Sequence, residues 1–166
     1  DHIVAKHHAF VAEQTPEILR LLDKVSKRHG PEHPELHEIN SIFQAVAGEL
    51  AQHMKKEELI LFPAIKRLAL VDRGDAVYQT PPFGSVANPI NMMEMEHESA
   101  GGGLDQIRTL TNNFTLPEGA CMSYWQTYQL LDAFEKDLHV HVHLENNILF
   151  PKAIVLESQL TQMQHV

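Results

Sequence analysis

The sequence predicts an all-α protein that folds as an antiparallel up-and-down four-helix bundle. Four long segments carry apolar residues at alternating spacings of four and three, and clusters of glycine and proline separate those segments. One histidine of each segment falls on the apolar stripe. With 166 residues, the chain is long enough for one hydrophobic core, so we expect a single domain over residues 1–166.

The first two segments share the same spacing along their stripes. The stripe of the first segment comprises Val4, His8, Val11, Thr15, Ile18, Leu22 and Val25. The stripe of the second comprises Ile39, Phe43, Val46, Leu50, His53, Glu57 and Ile60. Gly30, Pro31 and Pro34 mark a short turn between these two helices.

The third segment follows a Gly- and Pro-rich loop of about 20 residues, and a short turn at Pro117 and Gly119 separates it from the fourth. The third stripe comprises Ile90, Met93, His97, Ala100, Leu104 and Ile107. The fourth comprises Leu131, Phe134, Leu138, His141, Glu145 and Ile148. Residues 139–143 alternate like a strand, but the helical stripe continues through them, so we expect a helix there. The run 101–103 is all glycine, and it allows close approach of a neighbouring helix or a local bend.

The four stripe histidines are placed to meet at one level. In an antiparallel bundle, residues of neighbouring helices lie at the same height when they are equidistant from the connecting turn. His8 and His53 are equidistant from the first turn, His53 and His97 from the central loop, and His97 and His141 from the last turn. We therefore expect four imidazoles to converge inside the bundle.

Two glutamates follow two of these histidines by four residues, which places each glutamate on the same helix face as its histidine. They are Glu57 and Glu145, within the segments HMKKEELILFP and HVHLENNILFP, which share His, Glu and Ile-Leu-Phe-Pro at identical offsets. The acid four residues before the histidine also repeats, as Glu49 and Asp137. A repeat of this length is stronger evidence for a functional site than an isolated His-Glu pair.

Two carboxylates on a buried stripe require neutralisation, because an isolated buried charge costs several kcal/mol or more. Lys and Arg are absent from the stripes near this level, so a bound cation is the simplest solution. Four imidazoles and two carboxylates suit two ions of iron, manganese or zinc, whereas magnesium and calcium prefer oxygen ligands. A hydrogen-bonded polar network without metal and a structural zinc site are the alternatives. The His-Glu-x-x-His motif of zinc proteases is absent.

The composition excludes other classes of function. The formal net charge is −9 and there is no basic run, which argues against nucleic acid as a partner. The longest apolar stretches are far shorter than the roughly 20 residues that span a bilayer, so we expect no membrane insertion. The single cysteine, Cys121, cannot form an internal disulfide and agrees with a cytoplasmic location.

Beyond these local arguments, the chain resembles the hemerythrin-like domain of the iron-sulfur cluster repair di-iron proteins, the repair of iron centres family. The resemblance rests on AEQTPEIL after His8, on HMKKEELILFP, on MEMEHESAG, on the TNN turn and on HLENNILFP. It implies two non-haem iron ions, bridged by carboxylates, whose ligands are His8, His53, Glu57, His97, His141 and Glu145. It also implies that Glu49 and Glu96 line the approach to the irons as proton-relay acids, although Glu96 lies off the stripe.

The resemblance implies a stress-response protein that repairs iron-sulfur clusters damaged by nitric oxide or oxidants. Its partners would be damaged iron-sulfur proteins or apo-cluster acceptors, to which it supplies iron, and a homodimer is compatible with this role. A di-iron oxidoreductase that reduces nitric oxide and a module that binds or senses oxygen are the alternatives. Gly101 stands where hemerythrin has a further histidine, which argues against an oxygen carrier. The cysteine-containing N-terminal domain of full-length members is expected to be absent from this chain.

Overall fold

The computed structural model describes residues 1–165, and every regular element in that range is helical. This confirms the predicted all-α class. The α-helices are α1 (Ala9–His29), α2 (Glu35–Lys56), α3 (Phe62–Asp72), α4 (Ala87–Leu110), α5 (Met122–Leu144) and α6 (Phe150–Met163). The strand-like alternation of residues 139–143 is helical, as expected. None of the helices in this part of the chain is long and apolar enough to cross a membrane.

Three π-helical turns extend these helices at Ile3–His8, Glu57–Leu61 and Glu145–Leu149. Each π turn contains a predicted metal ligand: His8 ends the first, and a glutamate begins each of the other two. In both of these later turns the backbone N–H of the following phenylalanine donates to the carbonyl of that glutamate, five residues earlier. Such wide turns are rare and occur frequently at functional sites.

The two later π turns correct part of the predicted stripes. Each precedes a proline, Pro63 or Pro151, which has no N–H to donate to the preceding helical turn and clashes with it. The inserted residue rotates the following helix. Ile60 and Ile148, predicted to be buried, are therefore 48% and 41% exposed, and the buried positions are Leu61 and Phe150.

The chain divides into two compact units, of which the first comprises Asp1–Ala51 and Glu98–His141. Four helices pack in this unit, as the sequence predicts. The rings of Phe43 and Phe134 meet edge to face with centroids 5.2 Å apart. A Cβ atom added to Gly103 would lie 2.6 Å from Val46 Cγ2, so α2 and α4 approach closely at this glycine. The predicted close approach at the glycine run is confirmed.

The second unit comprises Gln52–His97 and the residues from Val142 onward. In it, α3 and α6 pack against each other. The start of α4 is fixed by the buried Glu157 of α6, which accepts hydrogen bonds from Ser85 Oγ at 2.6 Å and from the Val86 N–H at 2.9 Å. The connection between α3 and α4 spans residues 73–86 and is shorter than predicted. It is shorter because α4 begins before Pro89, which the first turn of a helix tolerates.

Candidate metal centre

Four predicted ligands form one buried cluster in the second unit: His53, Glu57, His97 and Glu145. One ligand atom from each residue lies within 4.8 Å of the ligand atoms of the other three. Both glutamates have no solvent exposure, and the two histidines are buried. The chain therefore places two carboxylates and two imidazoles where water does not reach them.

Helix periodicity explains how these side chains meet. His53 lies in the last turn of α2, and Glu57, four residues later, begins the π turn that follows. Glu145 begins the equivalent π turn after α5, and His97 lies within α4. Residues four apart on a helix share a face, so the spacing in the sequence is sufficient to align His53 with Glu57.

The ligand atoms lie within contact distance of one another. His53 Nε2 is 2.8 Å from Glu57 Oε1, and His97 Nε2 is 2.9 Å from Glu145 Oε2. The two Nε2 atoms are 3.1 Å apart. These separations place the donor atoms of all four side chains close enough to share one cation.

The outer nitrogen of each imidazole has an acceptor of its own. His53 Nδ1–H donates to Glu96 Oε1 at 3.3 Å, and His97 Nδ1–H donates to Asn146 Oδ1 at 2.9 Å. Because these oxygens accept and do not donate, the network assigns the proton of each neutral ring to Nδ1. The lone pair of each Nε2 then faces the glutamates, an arrangement typical of metal-binding histidines.

Electron pairs of two imidazoles and two carboxylates thus converge on one point, and only a proton or a cation stabilises that arrangement. The pKa of His97 reflects this need for positive charge. Burial lowers the pKa of His97, but the hydrogen bond and charge of Glu145, the hydrogen bond to Asn146 and the charge of Glu57 together raise the pKa above its usual value. The donor set therefore fits a divalent cation.

Glu96 connects the cluster to the surface of the second unit. One of its carboxylate oxygens accepts from His53, and the other accepts from the ammonium group of Lys56. The side chains of Glu96 and Lys56 are 25% and 38% exposed. The structure therefore places Glu96 beside a predicted ligand, although its position in the sequence lies off the apolar stripe.

The other two predicted ligands, His8 and His141, are neighbours within the first unit. Both are buried, and their ring centroids are 5.1 Å apart. A third histidine, His7, is also buried there, and its ring stacks on that of His141 at 5.6 Å. His7 Nδ1–H donates to Asp137 Oδ1 at 3.0 Å.

Glu49, the second predicted relay acid, is exposed in the first unit. It accepts a hydrogen bond from Ser99 Oγ at 3.1 Å and lines a surface groove of about 400 Å³. His139 and His143 are exposed, as their positions on the helix predict.

Sequence reasoning missed two residues beside the predicted site: Asn146, which accepts a hydrogen bond from His97, and Lys56, which donates one to Glu96. The sequence leaves open whether His7 also belongs to the site. The asparagine directly follows Glu145 in the repeated segment, at the position that Glu58 occupies in the first copy, and this difference between the copies was the available signal. Lys56 gave no signal, because its partner Glu96 comes from a helix 40 residues away. His7 lies beside His8, and helix spacing alone does not bury both.

Comparison with known proteins adds a family match. The profile of the hemerythrin HHE cation-binding domain matches residues 1–153. The chain is 39% identical over 154 residues to a probable iron-sulfur cluster repair protein of Haemophilus influenzae, covering 93% of this chain and 63% of that protein. It is also 39% identical over 153 residues to the iron-sulfur cluster repair protein YtfE of Yersinia pestis, covering 92% of this chain and 63% of that protein. The chain thus spans just under two thirds of the length of these relatives.

Proposed function

We propose that this chain, which belongs to the hemerythrin HHE cation-binding domain family, holds two iron ions and supplies iron for the repair of damaged iron-sulfur clusters. The proposed ligands are His8, His53, Glu57, His97, His141 and Glu145, with the two glutamates shared between the ions. The observation that carries this proposal is the buried convergence of His53, Glu57, His97 and Glu145.

The grouping of the histidines supports two ions better than one. His53 and His97 lie together in the second unit, with their Nε2 atoms 3.1 Å apart, and we assign them to one ion. His8 and His141 are neighbours in the first unit, and we assign them to the second ion. Two imidazoles and the glutamates would hold each ion and would leave positions for other ligands. Iron held in this way would bind small ligands such as nitric oxide or oxygen and would supply redox chemistry.

Two features favour release of iron over permanent storage. First, few protein ligands hold each ion, so an external chelator or acceptor has positions to attack. Second, Glu96 is partly exposed and bonded to His53, so protonation of this acid weakens the support of a ligand from the solvent side. The two relatives are named as iron-sulfur cluster repair proteins, and this chain covers 63% of each of them. The recipients proposed here are damaged iron-sulfur proteins and apo-cluster acceptors in the cytoplasm.

A di-iron oxidoreductase that reduces nitric oxide is the second candidate, and one observation favours it. The Lys56–Glu96–His53 connection joins the surface to the cluster and could deliver protons. Reduction of two nitric oxide molecules to nitrous oxide and water consumes two electrons and two protons, so it requires an external electron donor as well as this relay.

The first experiment is metal analysis of the chain purified anaerobically without added metal. We expect two irons per chain, and we expect the His97→Ala variant to lose iron while the matched exposed variant His139→Ala retains it. Zinc in place of iron, or equal iron content in the two variants, would contradict the proposed site.

The second experiment separates donation from catalysis. The ferrous protein is mixed anaerobically with an apo-cluster enzyme and sulfide, and the regained activity of that enzyme is measured. The same protein is then incubated with nitric oxide and a reductant, and nitrous oxide is measured by gas chromatography. Reactivation without nitrous oxide supports iron donation, whereas multiple turnovers to nitrous oxide without reactivation support the oxidoreductase.

A further inference from the structure

The buried His7 and the partly buried Asp137 form a hydrogen-bonded pair in the first unit that the proposed iron site does not use. His7 is 1% exposed, and its Nδ1–H donates to Asp137 Oδ1. The second polar atom of each side chain, His7 Nε2 and Asp137 Oδ2, is buried and has no hydrogen-bond partner within residues 1–165. A buried polar atom without a hydrogen-bond partner lowers the free energy of unfolding, so two such atoms in one pair indicate a role other than stabilising the fold.

The hydrogen bond determines which nitrogen of His7 is available. The carboxylate of Asp137 only accepts, so the proton of the neutral ring is on Nδ1 and the lone pair is on Nε2. A histidine whose outer nitrogen donates to a carboxylate is typical of a metal ligand, because the carboxylate fixes the tautomer and makes Nε2 more basic. His53 has the same arrangement with Glu96.

His7 is the neighbour of a proposed ligand. On its buried side the ring stacks on that of His141, with centroids 5.6 Å apart. On its other side the exposed His2 meets it edge to face, with centroids 5.7 Å apart. Three imidazoles therefore run in order from the solvent, at His2, through His7 to the proposed ligand His141.

We infer that His7 is a further iron ligand, used transiently while iron leaves or enters the site, and that His2 and Asp137 form its connection to solvent. The inference rests on the proposed function, because it concerns iron that is delivered as cargo. His7 would offer Nε2 to iron that His141 releases, so that one imidazole bond would replace another. This exchange would need no change of oxidation state and no proton transfer, because Nε2 of the neutral ring already carries a lone pair.

A purely structural role for His7 would predict a different arrangement. A structural buried histidine normally has both nitrogens satisfied, and a permanent ligand would be needed for iron to bind at all. The inference instead predicts that loss of His7 changes the rate of iron exchange and leaves the amount of bound iron unchanged.

The test uses His7→Phe, which keeps an aromatic ring for stacking, and the control His139→Phe, which makes the same change at an exposed position on α5. A second variant, Asp137→Asn, retains an acceptor for the Nδ1–H. It provides an independent test of the inference if His7→Phe does not fold. Each protein is loaded with ferrous iron anaerobically, its iron content is measured, and iron release to a ferrous chelator is followed by stopped-flow absorbance. Circular dichroism checks the helix content.

We expect His7→Phe to hold the same amount of iron as the unmodified chain and to release it about tenfold more slowly. Asp137→Asn should slow release to a smaller extent, and His139→Phe should not change it. Unchanged release from both His7→Phe and Asp137→Asn, or loss of iron from folded His7→Phe, would overturn the inference.

An unmodified chain that holds iron but fails to reactivate an apo-cluster enzyme would refute the proposed repair function alone, and the release rates would still decide the role of His7. An unmodified chain that binds no iron would refute both.

Discussion

Replacing Glu57 with glutamine should change the stability of the metal-free and iron-loaded chains in opposite directions. The Glu57 carboxylate has no solvent exposure and lies 2.8 Å from His53 Nε2. Without metal, burying this charge costs several kcal/mol, of which the imidazole offsets only a part. The isosteric amide in Glu57→Gln removes the charge, so we expect the metal-free chain to gain about 1 kcal/mol. For a chain of this size, that gain raises Tm by about 2–4 °C.

Iron binding should weaken in the same variant, because an amide is a poorer ligand than a carboxylate. Removing a residue that hydrogen-bonds to a metal ligand typically lowers the affinity for the metal 10–100-fold. Removing an anionic ligand itself should therefore lower the affinity for iron about 100-fold or more. A factor of 100 is about 2.7 kcal/mol, and the same amount of stabilisation by bound iron is lost when iron is in excess. The Tm of the iron-loaded variant should therefore fall below that of the unmodified protein.

The assay is thermal unfolding followed by circular dichroism under anaerobic conditions, with and without ferrous iron. Glu58→Gln is the matched control, because it makes the same change at the exposed neighbouring residue, and we expect little effect in either state. A fall in the Tm of metal-free Glu57→Gln equal to its fall with iron would refute the reasoning, because it would mean that Glu57 belongs to a hydrogen-bonded network that needs no cation.

Two further predictions concern the first unit. Gly103→Ala should destabilise the protein by about 1–2 kcal/mol, because the new Cβ lies 2.6 Å from the stiff side chain of Val46 and overpacking outweighs the gain in helix propensity. Gly102→Ala, with open space around its Cβ, should stabilise by about 1 kcal/mol, and urea unfolding that shows the same sign for both would contradict the packing argument. Hydrogen bonds from Lys136 first, and then from a neighbouring guanidinium, lower the pKa of Asp132. The stabilisation that follows is present above the unfolded-state pKa of about 3.9 and is lost as the pH falls through the folded-state pKa, so the stability advantage over Asp132→Asn should shrink between pH 6 and pH 3.

Much of the candidate site was predictable because its proposed ligands obey local rules. The pairs His53–Glu57 and His141–Glu145 follow from the spacing of four residues on a helix, and burial of Glu57 and Glu145 follows from the apolar stripe that contains them. The need for a cation follows from the cost of a buried carboxylate, with no knowledge of the fold.

The limits of the prediction have a physical cause at two positions, Ile60 and Ile148. Both continue the spacing of four and three, yet both are exposed because a π turn before proline inserts one residue into the helix. The prolines were visible in the sequence. A proline can kink a helix, end it or be accommodated by a wide turn. Which of these occurs depends on which face of the following helix packs against a neighbour.

Sequence alone determined the helical class and the burial of four histidines and two glutamates, because helix periodicity acts over three or four residues and is visible in the order of the side chains. Tertiary structure decided the hydrogen-bond partners of those histidines. Glu96 supports His53, Asn146 supports His97, and Asp137 holds His7 with a free lone pair. These partners lie 43, 49 and 130 residues away along the chain, so no local periodicity encodes them, and only helix packing brings each acceptor to its imidazole.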